Sequence, residues 1–331
     1  MTQITSTVDF AKSGKQVGWL RVPHSITRSA YGVIPVPIAV LRNGEGPAIL
    51  LTAGNHGDEY EGQVVLTRLI QELQADDIRG LLIIMPALNT PAAVAGTRIS
   101  PLDEGNLNRA FPGDPNGGPT WKIADYIYHH LVPMIDIVAD FHGGGRSLNY
   151  RPHASTHFSP DCGAQLRERS MAAVKALGIP HVLIIESVDA GGAMSAATRK
   201  HGKIYLNGEY GGSASVTRES VALVDQAVRR LLSFCGATDA RFDPLPEPQV
   251  LSIFGPDAYV YADDAGVFVP AVRLGDTVRK GDLCGHVYFP ETPARPPVAM
   301  VFEGDGDVVC QRHPARVERG DCLAHLARPI G

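Results

Sequence analysis

The sequence predicts an α/β fold, in which helices cover both faces of a sheet, followed by a smaller all-β domain. Up to about residue 236, short continuous apolar runs alternate with longer segments of helical spacing. Such apolar runs are typical of strands that are buried on both faces. After the proline-rich segment 243–248, short strand-like segments and Gly-Asp turns replace this alternation. We therefore expect one domain over residues 1–240 and a β-rich domain over residues 241–331.

The elements of the first domain follow from the spacing of its apolar residues. Strands are predicted at 34–41, 48–53, 81–86, 135–141, 181–186 and 203–207, and helices at 61–75, 123–132, 166–177 and 216–235. Pro35 and Pro37 cannot donate a backbone hydrogen bond, so the first strand is expected at an edge of the sheet. Binding sites in such sheets collect at the carboxyl ends of strands. The residues that follow positions 53 and 141 are therefore the first candidates for a functional site.

The C-terminal domain contains a weak internal repeat. The run 266–282 is echoed by the run 306–321, and both include Gly-Asp turns, which predicts two similar halves. This arrangement resembles the biotinyl/lipoyl hammerhead fold. Carrier domains of that type need an exposed acceptor lysine in a tight turn, and residues 287–295 contain none. We therefore expect an accessory or assembly role for this domain and not a carrier role.

The composition is that of a globular protein and excludes several function classes. The chain has 331 residues, of which 44% are hydrophobic and 20% charged. Its formal net charge of −5 gives no reason to expect nucleic acid or an anionic membrane as a partner. The apolar runs are far shorter than the ~20 residues that span a bilayer, and no signal peptide is visible. Five scattered cysteines without paired spacing predict reduced thiols in a cytoplasmic protein.

Two histidines and a glutamate stand where predicted strands end. His56 and Glu59 are three residues apart in a glycine-rich turn after the run 48–53, and His142 follows the run 135–141. Two imidazoles and one carboxylate that leave a fourth position open form a ligand set of catalytic zinc, not of structural zinc. Asp140 lies on the same strand face as His142 and could orient its imidazole by accepting a hydrogen bond. These residues predict a Zn²⁺ site and metal-assisted hydrolysis.

A loop of low apolar content carries two arginines that could bind a substrate. Arg109 can hold a carboxylate through both arms of its guanidinium, with Asn108 as a neutral donor beside it. Arg98 can approach an oxyanion. The alternative for each arginine is a surface ion pair. The polar loop, which has little apolar content to order it, favours a binding role instead.

Metal-assisted hydrolysis also needs a base that takes a proton from water. Glu209 is the first candidate, because it follows a short predicted strand and precedes Tyr-Gly-Gly; a solvated loop carboxylate is the alternative. Glu186 also ends a predicted strand and is the second candidate. Glu61 is expected to be the exposed start of a helix. Four further histidines have no paired spacing and are treated as ordinary histidines: His153, His157, His181 and His201.

Taken together, these segments resemble the succinylglutamate desuccinylase/aspartoacylase family, a branch of the zinc carboxypeptidase-like fold. The resemblance covers about residues 30–235 and depends on GNHGDEYEG at 54–62, GTR at 96–98 and NLNRAFPG at 106–113. A hammerhead-like tail also occurs in the family. The resemblance implies a mixed sheet flanked by helices, with a zinc-dependent deacylase in residues 1–240.

The resemblance also assigns roles to individual residues. They are His56, Glu59 and His142 as ligands of one Zn²⁺ per subunit, Arg98 and Glu209 as catalytic residues, and Asn108 and Arg109 as substrate-binding residues. In these roles the catalytic arginine stabilises the oxyanion. The catalytic glutamate activates water and returns the proton to the departing amine.

Within the family, the segments are especially similar to those of N-α-acetyl-L-2,4-diaminobutyrate deacetylases of ectoine breakdown. That branch often has serine after the second metal histidine, where this chain has Gly143. The expected substrate is a small N-acyl amino acid. A cationic substrate side chain predicts an acidic residue in the pocket, and loops offer Asp103, Glu104 and Asp189 for it. The small residues of the loop 189–200 suit either a lid or a plain surface loop.

Other functions remain open at this point. The acyl group could be acetyl or succinyl, and the same zinc geometry serves a carboxypeptidase that removes a C-terminal residue from peptides. A non-enzymatic binding protein would have no need of Glu209. Assembly into a homo-oligomer is also left open, since the β-rich domain could provide an interface.

Overall fold

The computed structural model describes residues 3–186 and 192–330. Within these two ranges, we find no helix that has both the length and the apolar character needed to cross a membrane. Part of the predicted loop 189–200, residues 189–191, lies outside the described residues, and residues 194–200 form a helix. The five cysteines are all free, as predicted.

The described residues form six α-helices and nineteen strands. The helices are α1 (Glu61–Glu72), α2 (Thr90–Ala95), α3 (Pro119–Tyr126), α4 (Ala164–Ala176), α5 (Met194–Lys200) and α6 (Arg218–Phe234). The strands up to residue 209 are β1 (Thr5–Ser6), β2 (Gly14–Pro23), β3 (Val33–Asn43), β4 (Ala48–Ala53), β5 (Gly80–Met85), β6 (Ile137–His142), β7 (Leu148–Tyr150), β8 (His153–Phe158), β9 (His181–Glu186) and β10 (Ile204–Glu209). The later strands are β11 (Gln249–Ser252), β12 (Tyr259–Tyr261), β13 (Gly266–Pro270), β14 (Thr277–Val278), β15 (Leu283–Tyr288), β16 (Val298–Val301), β17 (Gly306–Arg312), β18 (Arg316–Val317) and β19 (Cys322–Pro329).

The central part of the molecule is a mixed sheet with the strand order β1-β2-β3-β5-β4-β6-β10-β8-β9-β11. β5, β4, β6 and β10 run parallel to one another, whereas β8 is antiparallel to β10 and parallel to β9. One buried apolar cluster packs α1, α4 and α6 on one face of this sheet, and a second packs α3 on the other face. The α/β prediction with helices on both faces is therefore confirmed.

The predicted elements of this part are found, with shifts at their ends. The predicted helix 61–75 ends at Glu72, and the predicted helix 123–132 begins at Pro119 and widens after Tyr126 into a π-helical turn. α6 begins where Thr217 Oγ1 accepts a hydrogen bond from the backbone N–H of Ser220, a capping arrangement that satisfies a free helix-end donor. The hairpin of β1 and β2 and the strands β7 and β8 were not predicted.

The edge position predicted for the strand with two prolines is wrong for the strand as a whole. β3 lies between β2 and β5. Only its residues 39–43 pair with β5, whereas residues 33–38 pair with β2 alone. Pro35 and Pro37 lie in the half of β3 that pairs on one side only. Proline, which has no backbone N–H to donate, is tolerated in such an edge position.

The C-terminal segment, residues 249–330, is built from strands that enclose an apolar cluster of their own. β16, β15, β13 and β18 form a four-stranded sheet. β11 pairs with β9, and β19 then pairs with β11, so the central sheet continues into this segment. β17 also pairs with β7. The all-β character predicted for this region is present, while its hammerhead topology and a domain boundary at residue 240 stay predictions.

Candidate metal centre and active-site cavity

The loop after β4 is shaped by two glycines. Gly54 has φ +68°, a left-handed conformation that glycine adopts without strain. Gly57 packs so closely against the backbone of Ala92 that a Cβ there would collide with its carbonyl group. Gln63 Nε2 donates hydrogen bonds to the carbonyl oxygens of Gly57 and Glu59, at 3.1 and 2.8 Å. This loop is therefore held in place at the carboxyl end of β4, as the sequence predicts for a site.

The predicted metal ligands converge. His56 Nδ1 lies 2.7 Å from Glu59 Oε1, and His142 Nδ1 lies 2.7 Å from Glu59 Oε2. One potential ligand atom from each of the three residues lies within 4.8 Å of the others, and all three side chains are buried. Burial alone would raise the pKa of Glu59, but the two imidazoles hold it well below its usual range. The carboxylate is therefore ionised and able to bind a cation.

His142 is oriented by a buried carboxylate. Asp140 Oδ2 lies 2.8 Å from His142 Nε2. Asp140 also accepts hydrogen bonds from Thr52 Oγ1 at 2.7 Å and from Asn55 Nδ2 at 2.9 Å. Asp140 thus occupies the position expected of a residue that holds a metal-binding imidazole from behind. With Nε2 donating to Asp140, the lone pair of a neutral imidazole is on Nδ1.

The donor set fits a divalent cation. His56 Nε2 faces Asn106 Oδ1 at 3.3 Å, so in a neutral ring its lone pair is also on Nδ1. Both lone pairs then point at the carboxylate oxygens of Glu59, and they repel unless a proton or a cation lies between them. Two imidazole nitrogens and one carboxylate oxygen match the protein ligands of catalytic zinc sites. The residues present therefore suit Zn²⁺, and Asn106 is a supporting residue that the sequence analysis missed.

Glu209 lies at the end of β10, beside His142, the second candidate metal histidine. β10 and β6 run parallel with Glu209 in register with His142. Glu209 Oε2 is buried and has no hydrogen-bond partner among the described residues. Burial, and next the negative charge of Glu59, raise the pKa of Glu209 well above its usual range. An uncommitted buried carboxyl beside the ligand set is placed to exchange a proton with a reacting group.

The two other glutamates considered as site residues are placed differently. Glu186 lies at the end of β9 with 58% of its side chain exposed and bonds Arg167 Nη2 at 2.9 Å, so it stands apart from the cavity. Glu61 begins α1 as predicted, but the expectation that it is exposed is wrong, because only 2% of it is accessible. Its carboxylate fits against Gly143 and Gly211, where the lack of side chains leaves room. Burial raises the pKa of Glu61.

The residues predicted to bind the substrate line the same cavity as the two candidate metal histidines. Arg98 and Arg109 reach it from the loop between α2 and α3, and Asn108 lies beside them. Arg98 Nη1 lies 3.4 Å from Glu59 Oε1, and 47% of the side chain is exposed. Asn108 Oδ1 accepts a hydrogen bond from the backbone N–H of Met194, which ties this loop to α5. Arg109 Nη1 donates to the carbonyl oxygen of Asn108 at 2.7 Å.

The cavity measures ≈ 490 Å³ and is larger than the predicted residues define. Neighbouring strands present alternate residues to it, because side chains of a strand alternate between faces. β10 contributes Tyr205, Asn207 and Glu209, and β8 contributes His153, Ser155 and His157. His153 and His157, which the sequence analysis treats as ordinary histidines, therefore also line this cavity. Their spacing of four residues along a strand was the missed signal, since β8 itself was not predicted.

The C-terminal segment supplies part of the cavity wall. Tyr259, Tyr261, Cys322 and His325 line the cavity, which fits the predicted accessory role. Among the described residues, neither Asp103 nor Glu104, two of the acidic residues expected for a cationic substrate, lines the cavity. Asp103 accepts hydrogen bonds from the backbone and hydroxyl of Thr120, and Glu104 does not line the cavity. Asp189 lies outside the described residues.

Comparison with known proteins agrees with this geometry. Residues 45–235 match the model of the succinylglutamate desuccinylase/aspartoacylase catalytic domain. The N-alpha-acetyl-L-2,4-diaminobutyric acid deacetylase of Halomonas elongata is 41% identical over 329 residues, covering 99% of this chain and 95% of that protein. The product-bound structure of the ectoine utilization protein EutE (DoeB) from Ruegeria pomeroyi has a TM-score of 0.95 and 37% identity, with 99% of each chain covered.

A third relative extends the same result. The structure of a succinylglutamate desuccinylase from a Silicibacter species has a TM-score of 0.94 and 35% identity, covering 100% of this chain and 99% of that chain. The family match spans more than half of the chain and includes all three candidate metal ligands. The chain therefore belongs to the succinylglutamate desuccinylase/aspartoacylase family.

Proposed function

We propose that the protein is a zinc-dependent amidohydrolase that removes the acetyl group of N-α-acetyl-L-2,4-diaminobutyrate in ectoine degradation. The observation that carries the proposal is the buried group His56–Glu59–His142, whose two histidines line one cavity with Glu209, a carboxyl that has no hydrogen-bond partner at Oε2 among the described residues. The substrate is supported by the relative from Halomonas elongata, whose name states this activity and whose sequence aligns over nearly the whole chain.

The ligand set determines what chemistry the site can perform. Zn²⁺ held by His56, Glu59 and His142 supplies Lewis-acid activation of water and of the amide carbonyl. Asp140 keeps His142 in the tautomer whose Nδ1 is free to bind. Because the three ligands come from one loop and one strand end, they leave the cavity side of the site open to a substrate.

The remaining roles belong to side chains around the ligands. Glu209 accepts a proton from the attacking water at Oε2 and returns it to the departing α-nitrogen. Arg98 donates hydrogen bonds to the oxyanion that develops on the carbonyl oxygen. Arg109, with Asn108 beside it, binds the α-carboxylate of the amino-acid half. The products are acetate and 2,4-diaminobutyrate.

The alternatives are a deacylase with another substrate and a zinc carboxypeptidase. A different acyl amino acid would use the same residues, since the family includes the succinylglutamate desuccinylase from Silicibacter. A carboxypeptidase needs room for a peptide on the far side of the scissile bond. Tyr259, Tyr261 and His325 of the C-terminal segment border the cavity, and this supports a small substrate.

The test is hydrolysis by purified, metal-analysed protein over a substrate panel. The panel contains N-α-acetyl-2,4-diaminobutyrate, N-acetylaspartate, N-succinylglutamate and dipeptides. We expect stoichiometric zinc and the highest kcat/KM for the first compound. His56→Ala should lose both zinc and activity, whereas His201→Ala, a histidine outside the cavity, should keep both. Faster release of a C-terminal residue from dipeptides would favour the carboxypeptidase, and zinc-loaded protein that hydrolyses nothing would refute the proposal.

A further inference from the structure

One side of the cavity is a wall of neutral rings drawn from two distant parts of the chain. We call it the imidazole–tyrosine wall: Tyr150, His153, Tyr259, Tyr261 and His325. Each of these rings lies next to at least one other ring of the wall. The ring centroid of Tyr150 lies 5.7 Å from that of His153 and 5.5 Å from that of His325. The ring centroid of Tyr259 lies 5.2 Å from that of His325 and 6.1 Å from that of Tyr261.

This wall begins next to the proposed catalytic carboxyl. β8 and β10 pair with His153 in register with Glu209. Tyr150 links His153 to His325 through two ring contacts. The wall therefore extends from the reaction centre to the C-terminal segment along one continuous surface, which is where a substrate side chain can lie.

His325 holds a buried polar atom to which none of the described residues forms a hydrogen bond. Only 5% of the residue is exposed, and its Nδ1 is buried and makes no hydrogen bond among the described residues. Its other nitrogen, Nε2, lies 3.5 Å from the hydroxyl of Tyr150. Burial lowers the pKa of His325 to about 3, and burial lowers that of His153 to about 4. Both rings are therefore neutral near pH 7, and His325 can offer a lone pair at Nδ1.

The charges around the cavity are distributed unevenly. Three arginines line it, and all of them precede the C-terminal segment: Arg98, Arg109 and Arg199. Among the described lining residues, Glu209 is the one carboxylate, and the proposed reaction already uses it. A substrate with a carboxylate at one end and an ammonium group at the other would place its carboxylate near the arginines and its ammonium group away from them.

We propose that the imidazole–tyrosine wall binds the side-chain ammonium group of the substrate, with His325 Nδ1 as hydrogen-bond acceptor and the rings of Tyr259 and Tyr261 as cation–π partners. This inference rests on the proposed function and names the residues that select a cationic substrate. An ammonium group is attracted to the faces of aromatic rings and donates up to three hydrogen bonds. A neutral wall of this kind selects a cation without adding a carboxylate that would pair with the arginines across the cavity.

The test compares two substrates that differ in charge and little in shape. N-α-acetyl-2,4-diaminobutyrate carries a terminal ammonium group where N-acetylnorvaline carries a methyl group. The measured quantity is the ratio of their kcat/KM values, obtained for wild type, H325F, H325N and H286F. H325F removes the acceptor and keeps a ring, whereas H325N keeps an acceptor near the Nδ1 position. His286 lies in the four-stranded sheet outside the cavity and is the matched control.

We expect the ratio to favour the cationic substrate in wild type and to fall about 10- to 100-fold in H325F, as for loss of a hydrogen bond to a charged group. H325N should keep most of the ratio, and H286F all of it. Equal losses for both substrates in H325F, with an unchanged ratio, would overturn the proposal by showing a purely structural role.

A second measurement needs no variant and no turnover. Calorimetry on zinc-loaded wild type should show tighter binding of 2,4-diaminobutyrate than of norvaline, and equal affinity would overturn the proposal. The two hypotheses then fail separately. Hydrolysis of both substrates without preference would refute the binding role of the imidazole–tyrosine wall and leave the proposed function standing. Preferential binding without hydrolysis would support that binding role and refute the proposed function.

Discussion

Acidification should destabilise the fold through the buried histidines of the cavity. The pKa of His325 is lowered to about 3 by burial and next by His153, whereas an unfolded histidine titrates near pH 6.5. Above pH 6.5 the ring is neutral in both states, and its contribution to stability is fully present. As the pH falls below 6.5, His325 binds a proton in the unfolded chain but stays neutral in the folded chain. The free energy of unfolding therefore falls until the pH reaches the pKa of His325 in the folded protein.

The size of this effect follows from the separation of the two pKa values. Each pH unit between them removes about 1.4 kcal/mol of unfolding free energy per group. At pH 5, His325 therefore costs the wild type about 2 kcal/mol relative to pH 7.5. The variant His325→Asn has no titrating group there. It should be less stable than wild type at pH 7.5, because it loses the packing of the ring. The difference in unfolding free energy between wild type and variant should be smaller by about 2 kcal/mol at pH 5.

The assay is urea unfolding followed by circular dichroism at pH 7.5, 6 and 5, with zinc removed by a chelator in every sample. Protonation of the metal ligands is then common to both proteins and cancels in the difference. His153→Asn should show the same narrowing, since burial lowers the pKa of His153 to about 4. Tyr150→Phe is the matched control, because burial raises the pKa of its phenol far above this range. A wild-type-to-variant gap that stays constant from pH 7.5 to pH 5 would refute the reasoning.

Three further predictions concern the reaction centre. Glu209→Gln should lower kcat by about 10²- to 10⁴-fold, as for loss of a general base, with zinc content unchanged by metal analysis; loss of zinc would place this residue among the ligands instead. Asp140→Asn should weaken zinc affinity about 10- to 100-fold in chelator competition, because His142 loses its acceptor; unchanged affinity would argue against an orienting role. Gly57→Ala should reduce both zinc binding and thermal stability, because its methyl group would collide with the backbone of Ala92; normal zinc affinity would show that the loop adjusts freely.

The sequence was sufficient to predict that the candidate metal ligands converge, because its signals are local. His56 and Glu59 are three residues apart in one turn, and His142 ends an apolar strand. Parallel strands place their carboxyl ends at the same edge of a sheet, so the three residues meet once the sheet forms. The pairing of β4 with β6 and of β6 with β10 then brings Glu209 beside His142 without any further assumption.

The rest of the cavity could not be predicted because it depends on contacts between distant segments. His325 is 172 positions after His153 in the sequence, and the pairing of β17 with β7 and with β19 brings the two into one cavity wall. Glu61 has the position of an exposed helix start, but in the folded chain its carboxylate lies against Gly143 and Gly211 and is buried. Neither contact can be predicted from the spacing of residues along the sequence. That spacing predicts which face of a helix or strand a residue lies on, but not which distant segment covers that face.

Truncation would show how the C-terminal segment protects the rest of the molecule. A chain that stops at residue 240 would lack β11, the strand that pairs in parallel with β9. The unpaired N–H and C=O groups of β9 would then form an open edge on an apolar strand whose Val182 and Leu183 are buried in the full chain. Open apolar edges of this kind invite pairing between molecules, so the shortened protein should aggregate even where its metal ligands are intact.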